Sequence, residues 1–248
     1  MKKYPFIIAA NRDEFYSRPA VKAKFWDEHN FFLAGKDLKD GGTWLGITRN
    51  GKFAAITNYR DLSSIKLSAP SRGNLVKNFL VNNISAEDYS EILMTEGKNY
   101  NGFNLIYGNL KKLFFFSNIT GKVEIINEGI HGLSNHLLNT NWPKVESGKK
   151  KLRDLLDSNH VDANKVFELM YDETPAPDNT LPDSGVGIQL ERLLSPMFIK
   201  SEPYGTRCST VILIDKDNNV TFAENTYDNV SQKFSKVEFN FKVESDYL

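Results

Sequence analysis

The chain has 248 residues, enough for one large domain or two small ones with a substantial core. Its 31 lysines and arginines balance its 31 aspartates and glutamates, which argues against a nucleic-acid partner and against an anionic membrane surface. The single cysteine, Cys208, excludes an internal disulfide and a cysteine-rich zinc site and fits a reducing compartment. No apolar run approaches the roughly 20 residues that cross a bilayer, so we expect no transmembrane segment, no secretory signal and a cytoplasmic protein.

An apolar run at residues 7–10 stops abruptly in four polar residues, Asn11, Arg12, Asp13 and Glu14. Apolar residues followed by a polar cluster indicate a buried strand whose end delivers side chains to a site. The alternative is a strand that runs into a solvated turn, with Arg12 and Asp13 paired at the surface. Composition alone favours this alternative, because most charge clusters are solvated.

A loop through Trp26 and a short strand are expected next. Residues 43–48 and 53–59 then read as two strands joined by Asn50-Gly51, a strong hairpin signal because both residues tolerate positive φ. A helix follows whose apolar residues recur on one face, namely Leu75, Val76, Phe79 and Leu80. Ser85 predicts the start of a second helix.

Strands dominate the rest of the chain, apart from one group of helices. Short, turn-rich connections predict an antiparallel meander of strands at residues 103–107, 113–117 and 123–127. Helices are expected from Pro143, over 162–170 and around Leu190, with a linker-like segment at 172–184. Three last strands are predicted at 204–215, 219–224 and 237–243. Grouped elements favour the α+β class, with antiparallel sheets covered by helices, over a doubly wound parallel sheet.

Common catalytic templates are missing from the sequence. It has no phosphate loop that ends in Gly-Lys-Ser/Thr, no His-Glu-x-x-His and no Gly-x-Ser-x-Gly. His131 and His136 lie close in sequence without a nearby carboxylate, so we expect structural or surface roles rather than a metal site. Cys208, in a predicted strand, is expected to be a small buried residue.

Four strand ends or turns are polar in a related way, at residues 11–14, 57–60, 133–135 and 205–207. Each contributes an amide or a guanidinium, the groups that bind a carboxylate, phosphate or oxyanion without supplying a base. Each could equally be a strand cap or a turn, which is the usual role of asparagine. Whether all four cluster at one edge stays a hypothesis.

Six motifs, in the same order, resemble the NRDE family, which is also called the transport and Golgi organisation family. They are Ala10-Asn11-Arg12-Asp13-Glu14 with its continuation to Pro19, Gly41-Gly42-Thr43-Trp44-Leu45-Gly46, Thr57-Asn58-Tyr59, Asn101-Gly102-Phe103-Asn104-Leu105, Gly132-Leu133-Ser134-Asn135 and Tyr204-Gly205-Thr206-Arg207. The resemblance implies a fold like that of the N-terminal nucleophile hydrolases, an αββα sandwich of two antiparallel sheets between helical layers. It covers nearly the whole chain, so we expect residues 1–248 to form a single NRDE-family domain.

The resemblance also implies roles for individual residues. In the related penicillin V acylase and bile salt hydrolase enzymes, an N-terminal cysteine attacks an amide while asparagines and an arginine polarise the carbonyl. By that analogy the supporting catalytic candidates are Asp13, Asn58, Asn135 and Arg207. The ligand-binding candidates are Asn11, Arg12, Asp13, Glu14, Thr43 and Trp44.

The sequence departs from the family at its start. Those enzymes carry arginine where this chain has Ala10, and family members usually begin Met-Cys, whereas Lys2 follows Met1 here. The chain as written has no N-terminal thiol, and Cys208 has no α-amine of its own that could act as base in its place. Either Met1 is an internal methionine of a longer product, which leaves the domain without its first strand, or this member has lost the nucleophile. We expect the first, because losing an edge of a central sheet would expose unpaired backbone.

Two functions from different classes follow from the resemblance. The first is binding of a small anionic ligand, haem or an acyl-coenzyme A thioester, in ligand trafficking or lipid homeostasis, with secretion and Golgi organisation in eukaryotic relatives. The second is hydrolysis of a small-molecule amide by a cysteine nucleophile outside this chain. A scaffold whose polar strand ends only cap the sheets is a third, lesser hypothesis.

Overall fold

The computed structural model describes residues 3–61, 64–228 and 233–244. Its strands are β1 (Phe6–Phe15), β2 (Ala20–Trp26), β3 (His29–Asp37), β4 (Leu45–Thr48), β5 (Phe53–Asn58), β6 (Phe103–Gly108), β7 (Leu113–Ser117), β8 (Lys122–Ile126), β9 (Tyr204–Ile214), β10 (Asn219–Tyr227) and β11 (Phe234–Lys242). Its α-helices are α1 (Gly73–Val81), α2 (Ala86–Glu96), α3 (Pro143–Asp157), α4 (Ala163–Met170) and α5 (Ile188–Leu193).

These strands form two antiparallel sheets. One sheet has the order β1-β9-β10-β11, and the other runs in chain order from β2 to β8. The α+β class with two antiparallel sheets is therefore confirmed. None of the helices in the described ranges combines the length and apolar character of a membrane-spanning helix.

The chain divides into two compact units. The first comprises residues 1–18, 130–132 and 141–243, and the second comprises residues 19–129, 133–140 and 244–248. The four-stranded sheet with α3, α4 and α5 lies in the first unit, and the seven-stranded sheet with α1 and α2 lies in the second.

The core of the second unit lies between its sheet and α1 and α2. The predicted face of α1 is buried, and its Phe79 ring lies 5.1 Å from Tyr89 of α2 and 5.4 Å from Tyr107 of β6. Ser85 caps α2 as predicted, because its side chain accepts a hydrogen bond from the Asp88 amide at 3.0 Å. The meander is confirmed as β6, β7 and β8.

In the first unit, α4 packs on the four-stranded sheet. Val166 and Phe167 of α4 meet Val211 and Leu213 of β9, and Ile7 of β1 is packed against the same cluster. Alternate residues of a strand share a face, so the odd-numbered residues of β1 lie on the side of this helix. This alternation positions the polar residues further along β1.

Two local expectations were wrong. β1 does not end before Asn11; it continues to Phe15, because β9 pairs with it as far as Phe15 opposite Tyr204. The segment through Trp26 is strand β2 and not a loop, since it pairs with β3. A further feature was not anticipated from the sequence: Glu191 of α5 is buried, and its carboxylate accepts hydrogen bonds from the amide (2.8 Å) and the hydroxyl (2.5 Å) of Ser184.

Candidate functional site

Asn11 and Asp13 lie on one face of β1, while Arg12 and Glu14 lie on the other. The Asn11 amide donates to the carbonyls of Met170 (3.0 Å) and Met197 (2.8 Å). Its oxygen accepts from the hydroxyl of Ser209, directly across the strand pair, at 2.6 Å. Both amide hydrogens are therefore used within the protein, and the side chain ties β1 to the last residue of α4 and to the segment that follows α5.

Asp13 has the same kind of internal partner. Its carboxylate accepts from the hydroxyl of the buried Thr206 at 2.6 Å, and that hydroxyl also accepts from the Ile199 amide at 2.9 Å. The Tyr204 hydroxyl donates to the Asp13 carbonyl at 3.2 Å. The carboxylate thus holds the start of β9 against β1.

A β-bulge sets the position of Arg207. Arg12 pairs with Cys208 and Asp13 pairs with Thr206, so Arg207 is the extra residue of β9. A bulge turns the local chain and re-aims the extra side chain. One guanidinium nitrogen of Arg207 donates to the carbonyls of Phe15 (2.8 Å) and Arg18 (2.9 Å) just beyond the motif.

Two arginines lie near the Glu14 carboxylate, and a third, Arg207 of β9, interacts with Arg12 and Glu14 through its charge. Glu14 lies 3.9 Å from a terminal nitrogen of Arg12 and 3.6 Å from Nε of Arg18, and the Arg12 side chain is only 9% exposed. Burial first, and then the like charge of Arg12, lower the pKa of Arg207. The two guanidinium groups are therefore close enough to repel each other. Guanidinium groups arranged in this way can bind an anion.

The buried carboxylate of Glu224 in β10 was not predicted from the sequence. It is 1% exposed, and its carboxylate accepts a hydrogen bond from Thr210 of β9 at 3.3 Å. Burial, followed by the charge of Glu224, raises the pKa of the Cys208 thiol, so Cys208 is a buried thiol as expected. The alternation of Val220, Phe222 and Glu224 is the signal that could have placed this carboxylate on an inward face.

In the second unit, Asn58 and Asn135 lie together. The Asn135 amide donates to the Asn58 carbonyl at 3.1 Å, and the Asn135 carbonyl accepts from the Arg60 backbone at 2.8 Å. These contacts join the end of β5 to the segment around Asn135. The Asn135 side-chain oxygen also lies 3.5 Å from a guanidinium nitrogen of Arg60 and from the hydroxyl of Ser134, while Asn58 is exposed.

Thr43 and Trp44 precede β4 in the same unit. The Thr43 hydroxyl donates to the Leu45 carbonyl at 3.2 Å, and the Thr43 amide donates to the Gly73 carbonyl at 3.2 Å. A Cβ placed on Gly35 would lie 2.3 Å from the Trp44 ring, so the indole covers this glycine closely. Both side chains thus have packing or hydrogen-bonding roles within the unit.

The histidines make local contacts. Nδ1 of His136 lies 2.9 Å from the Thr140 hydroxyl, its ring lies 5.0 Å from the Tyr59 ring, and burial lowers its pKa. Across the described ranges, no group of three or more histidine, cysteine, aspartate or glutamate side chains could hold a metal ion.

These features define an α+β protein of two antiparallel sheets with a guanidinium-rich strand pair in its smaller sheet. The family described as Transport and Golgi organisation 2 matches residues 1–229. The chain belongs to this family, so the family expected from the motifs is confirmed.

Named relatives agree with this assignment. "Transport and Golgi organization protein 2 homolog" of Homo sapiens is 38% identical over 240 residues, which cover 89% of this chain and 86% of that protein. "Transport and Golgi organization 2 homolog" of Mus musculus is 33% identical over 261 residues, or 98% of this chain and 94% of that protein. The Drosophila melanogaster "Transport and Golgi organization protein 2" is 26% identical over 249 residues, which cover 90% of this chain and 86% of that protein.

Similar solved structures include two named hydrolases. A mutant of conjugated bile acid hydrolase from Clostridium perfringens has a TM-score of 0.47 at 11% identity and covers 96% of this chain and 93% of its own. The Caenorhabditis elegans ortholog of N-acylethanolamine-hydrolyzing acid amidase has a TM-score of 0.44 at 11% identity, with 86% and 90% covered. At these TM-scores the likenesses support no statement about the activity of this chain.

Proposed function

We propose that this chain binds a small anionic ligand, haem or an acyl-coenzyme A, through the guanidinium groups of Arg12, Arg18 and Arg207, and serves ligand trafficking or lipid homeostasis. The observation that supports this most is the bulge that brings Arg207 next to the charged face of β1. Haem carries carboxylates and coenzyme A carries phosphates, and guanidinium groups bind both kinds of anion.

The electrostatics of the first unit support an anion here. Arg12 and Arg207 are partly withdrawn from water, and their like charges repel each other, while the charge of Glu14 acts on Arg207 in the opposite sense. A bound anion offsets this repulsion and forms charge-assisted hydrogen bonds, which are about twice as strong as neutral ones. Asn11 and Asp13, by contrast, have the internal partners described above, so we assign them to holding the strand pair and not to the ligand.

Amide hydrolysis by a cysteine of this chain is not favoured. Its single cysteine, Cys208, is buried, and its pKa is raised, whereas a nucleophilic cysteine needs an accessible thiolate. Hydrolysis by a nucleophile outside the chain stays a prediction, as do the supporting roles of Asn58 and Asn135. A cytoplasmic location likewise stays a prediction from the cysteine usage and the apolar pattern of the sequence.

The test is a titration of wild type and Arg12→Ala with haem and with palmitoyl-coenzyme A by isothermal calorimetry. We expect Arg12→Ala to weaken binding by about 10- to 100-fold, as for the loss of a charge-assisted hydrogen bond. Arg153→Ala, at an exposed arginine of α3, is the matched control and should bind like wild type. Circular dichroism checks that Arg12→Ala keeps its fold. Equal affinities of wild type and Arg12→Ala would remove Arg12 from the site.

A further inference from the structure

Glu14 occupies an unusual position among the arginines of the first unit. One carboxylate oxygen accepts from the next amide in the chain, that of Phe15, at 2.9 Å. The other oxygen lies between Arg12 at 3.9 Å and Arg18 at 3.6 Å. Charge-assisted hydrogen bonds between a guanidinium and a carboxylate are usually about 2.7–2.9 Å long. Both separations from this oxygen are longer than that, so Glu14 lies near the two guanidinium groups at the distance of a loose ion pair.

We propose that Glu14 is a specificity-determining residue that acts as a built-in competitor for the anion site. This rests on the function proposed above. Its carboxylate lies where the anionic group of a ligand would meet Arg12 and Arg18, so the ligand must displace it. A tethered group competes at a high effective concentration, in the millimolar range for short flexible tethers. A weak, singly charged anion is therefore rejected, whereas a ligand with further contacts still binds.

The side chain has the freedom that displacement needs. The Glu14 side chain is 23% exposed, and so is that of Arg18, so Glu14 can turn towards water and keep its charge hydrated. The arriving anion then replaces the charge of Glu14 beside the more buried Arg12. At separations of 3.6 and 3.9 Å, displacement of Glu14 breaks no close charge-assisted hydrogen bond between it and either of these two arginines.

The variant Glu14→Gln tests this proposal. Glutamine has the same shape and keeps a carbonyl that can accept from the Phe15 amide, but it carries no charge to attract the guanidinium groups. We expect it to tighten binding of palmitoyl-coenzyme A and of haem by about two- to fivefold, as for the loss of one weak competing ion pair. Glu168→Gln removes one charge from an exposed glutamate of α4 in the same unit and should leave the affinity unchanged.

The double variant Arg12→Ala with Glu14→Gln separates the two proposals. If Glu14 competes for the site that Arg12 forms, the double variant loses the gain of Glu14→Gln. If Arg12→Ala weakens binding but Glu14→Gln leaves it unchanged or weakens it, the competitor role is overturned and the anion site stands. If neither wild type nor Glu14→Gln binds either probe, or if Arg12→Ala has no effect, the anion site itself fails, and the competitor role with it.

Discussion

Replacing Asn11 by alanine separates a structural role of the motif from a ligand-binding one. The substitution removes two hydrogen bonds to the carbonyls of Met170 and Met197 and one from the Ser209 hydroxyl. A typical intramolecular hydrogen bond contributes about 1 kcal/mol net, so we expect the free energy of unfolding to fall by about 3 kcal/mol. Urea denaturation followed by circular dichroism measures this directly.

Asn240 provides the matched control, because it is an exposed asparagine on β11 of the same sheet. Its replacement by alanine should change the free energy of unfolding by no more than about 1 kcal/mol, as is usual at the surface. A loss below about 1 kcal/mol in Asn11→Ala, accompanied by weaker binding of palmitoyl-coenzyme A, would refute the structural role and restore Asn11 as a ligand-binding residue.

Two further predictions concern Lys52 and Cys208. The ammonium of Lys52 donates to the carbonyls of Asn82 (2.9 Å) and Ile84 (2.8 Å), and burial lowers its pKa from 10.5 to about 8. Because the unfolded chain binds more protons between these values, the free energy of unfolding of wild type relative to Lys52→Met should rise between about pH 8 and about pH 10.5. A difference that stays flat over this range would contradict the shift. The thiol of Cys208 is buried, and its pKa is raised. Ellman's reagent should therefore label Cys208 in the native protein only as fast as the protein unfolds. Rapid stoichiometric labelling without urea would contradict this by showing an accessible thiol.

Elements that depend on local periodicity were predictable from the sequence. The buried face of α1 follows from apolar residues spaced three and four apart, and the Ser85 cap follows from local backbone chemistry. Strand β2 was also predictable, because the exposed Lys22 and Lys24 flank the buried Ala23, which is the alternation of a half-exposed strand. These signals are complete within a few residues, which is why one sequence suffices.

Contacts between distant segments were not predictable in the same way. The extension of β1 through its charged residues depends on β9, about 200 positions later, and the bulge at Arg207 depends on the register of that pairing. The burial of Glu191 similarly depends on Ser184, which bends back to meet it. The spacing of residues within one strand does not determine which residues of another strand pair with it. The sequence therefore indicated the polar groups of the first unit but not their hydrogen-bond partners.

Alternation along β1 explains why one short motif can serve two physical purposes. Successive side chains of a strand point to opposite faces, so two adjacent residues cannot share a neighbourhood however similar their chemistry. Asn11 and Asp13 each meet main-chain or hydroxyl partners on the face of α4, and these partners fix the strand pair. Arg12 and Glu14 face the other way, where Arg12 and Arg207 repel each other. Substitutions at 11 and 13 should therefore change stability first, and substitutions at 12 and 14 should change anion binding first.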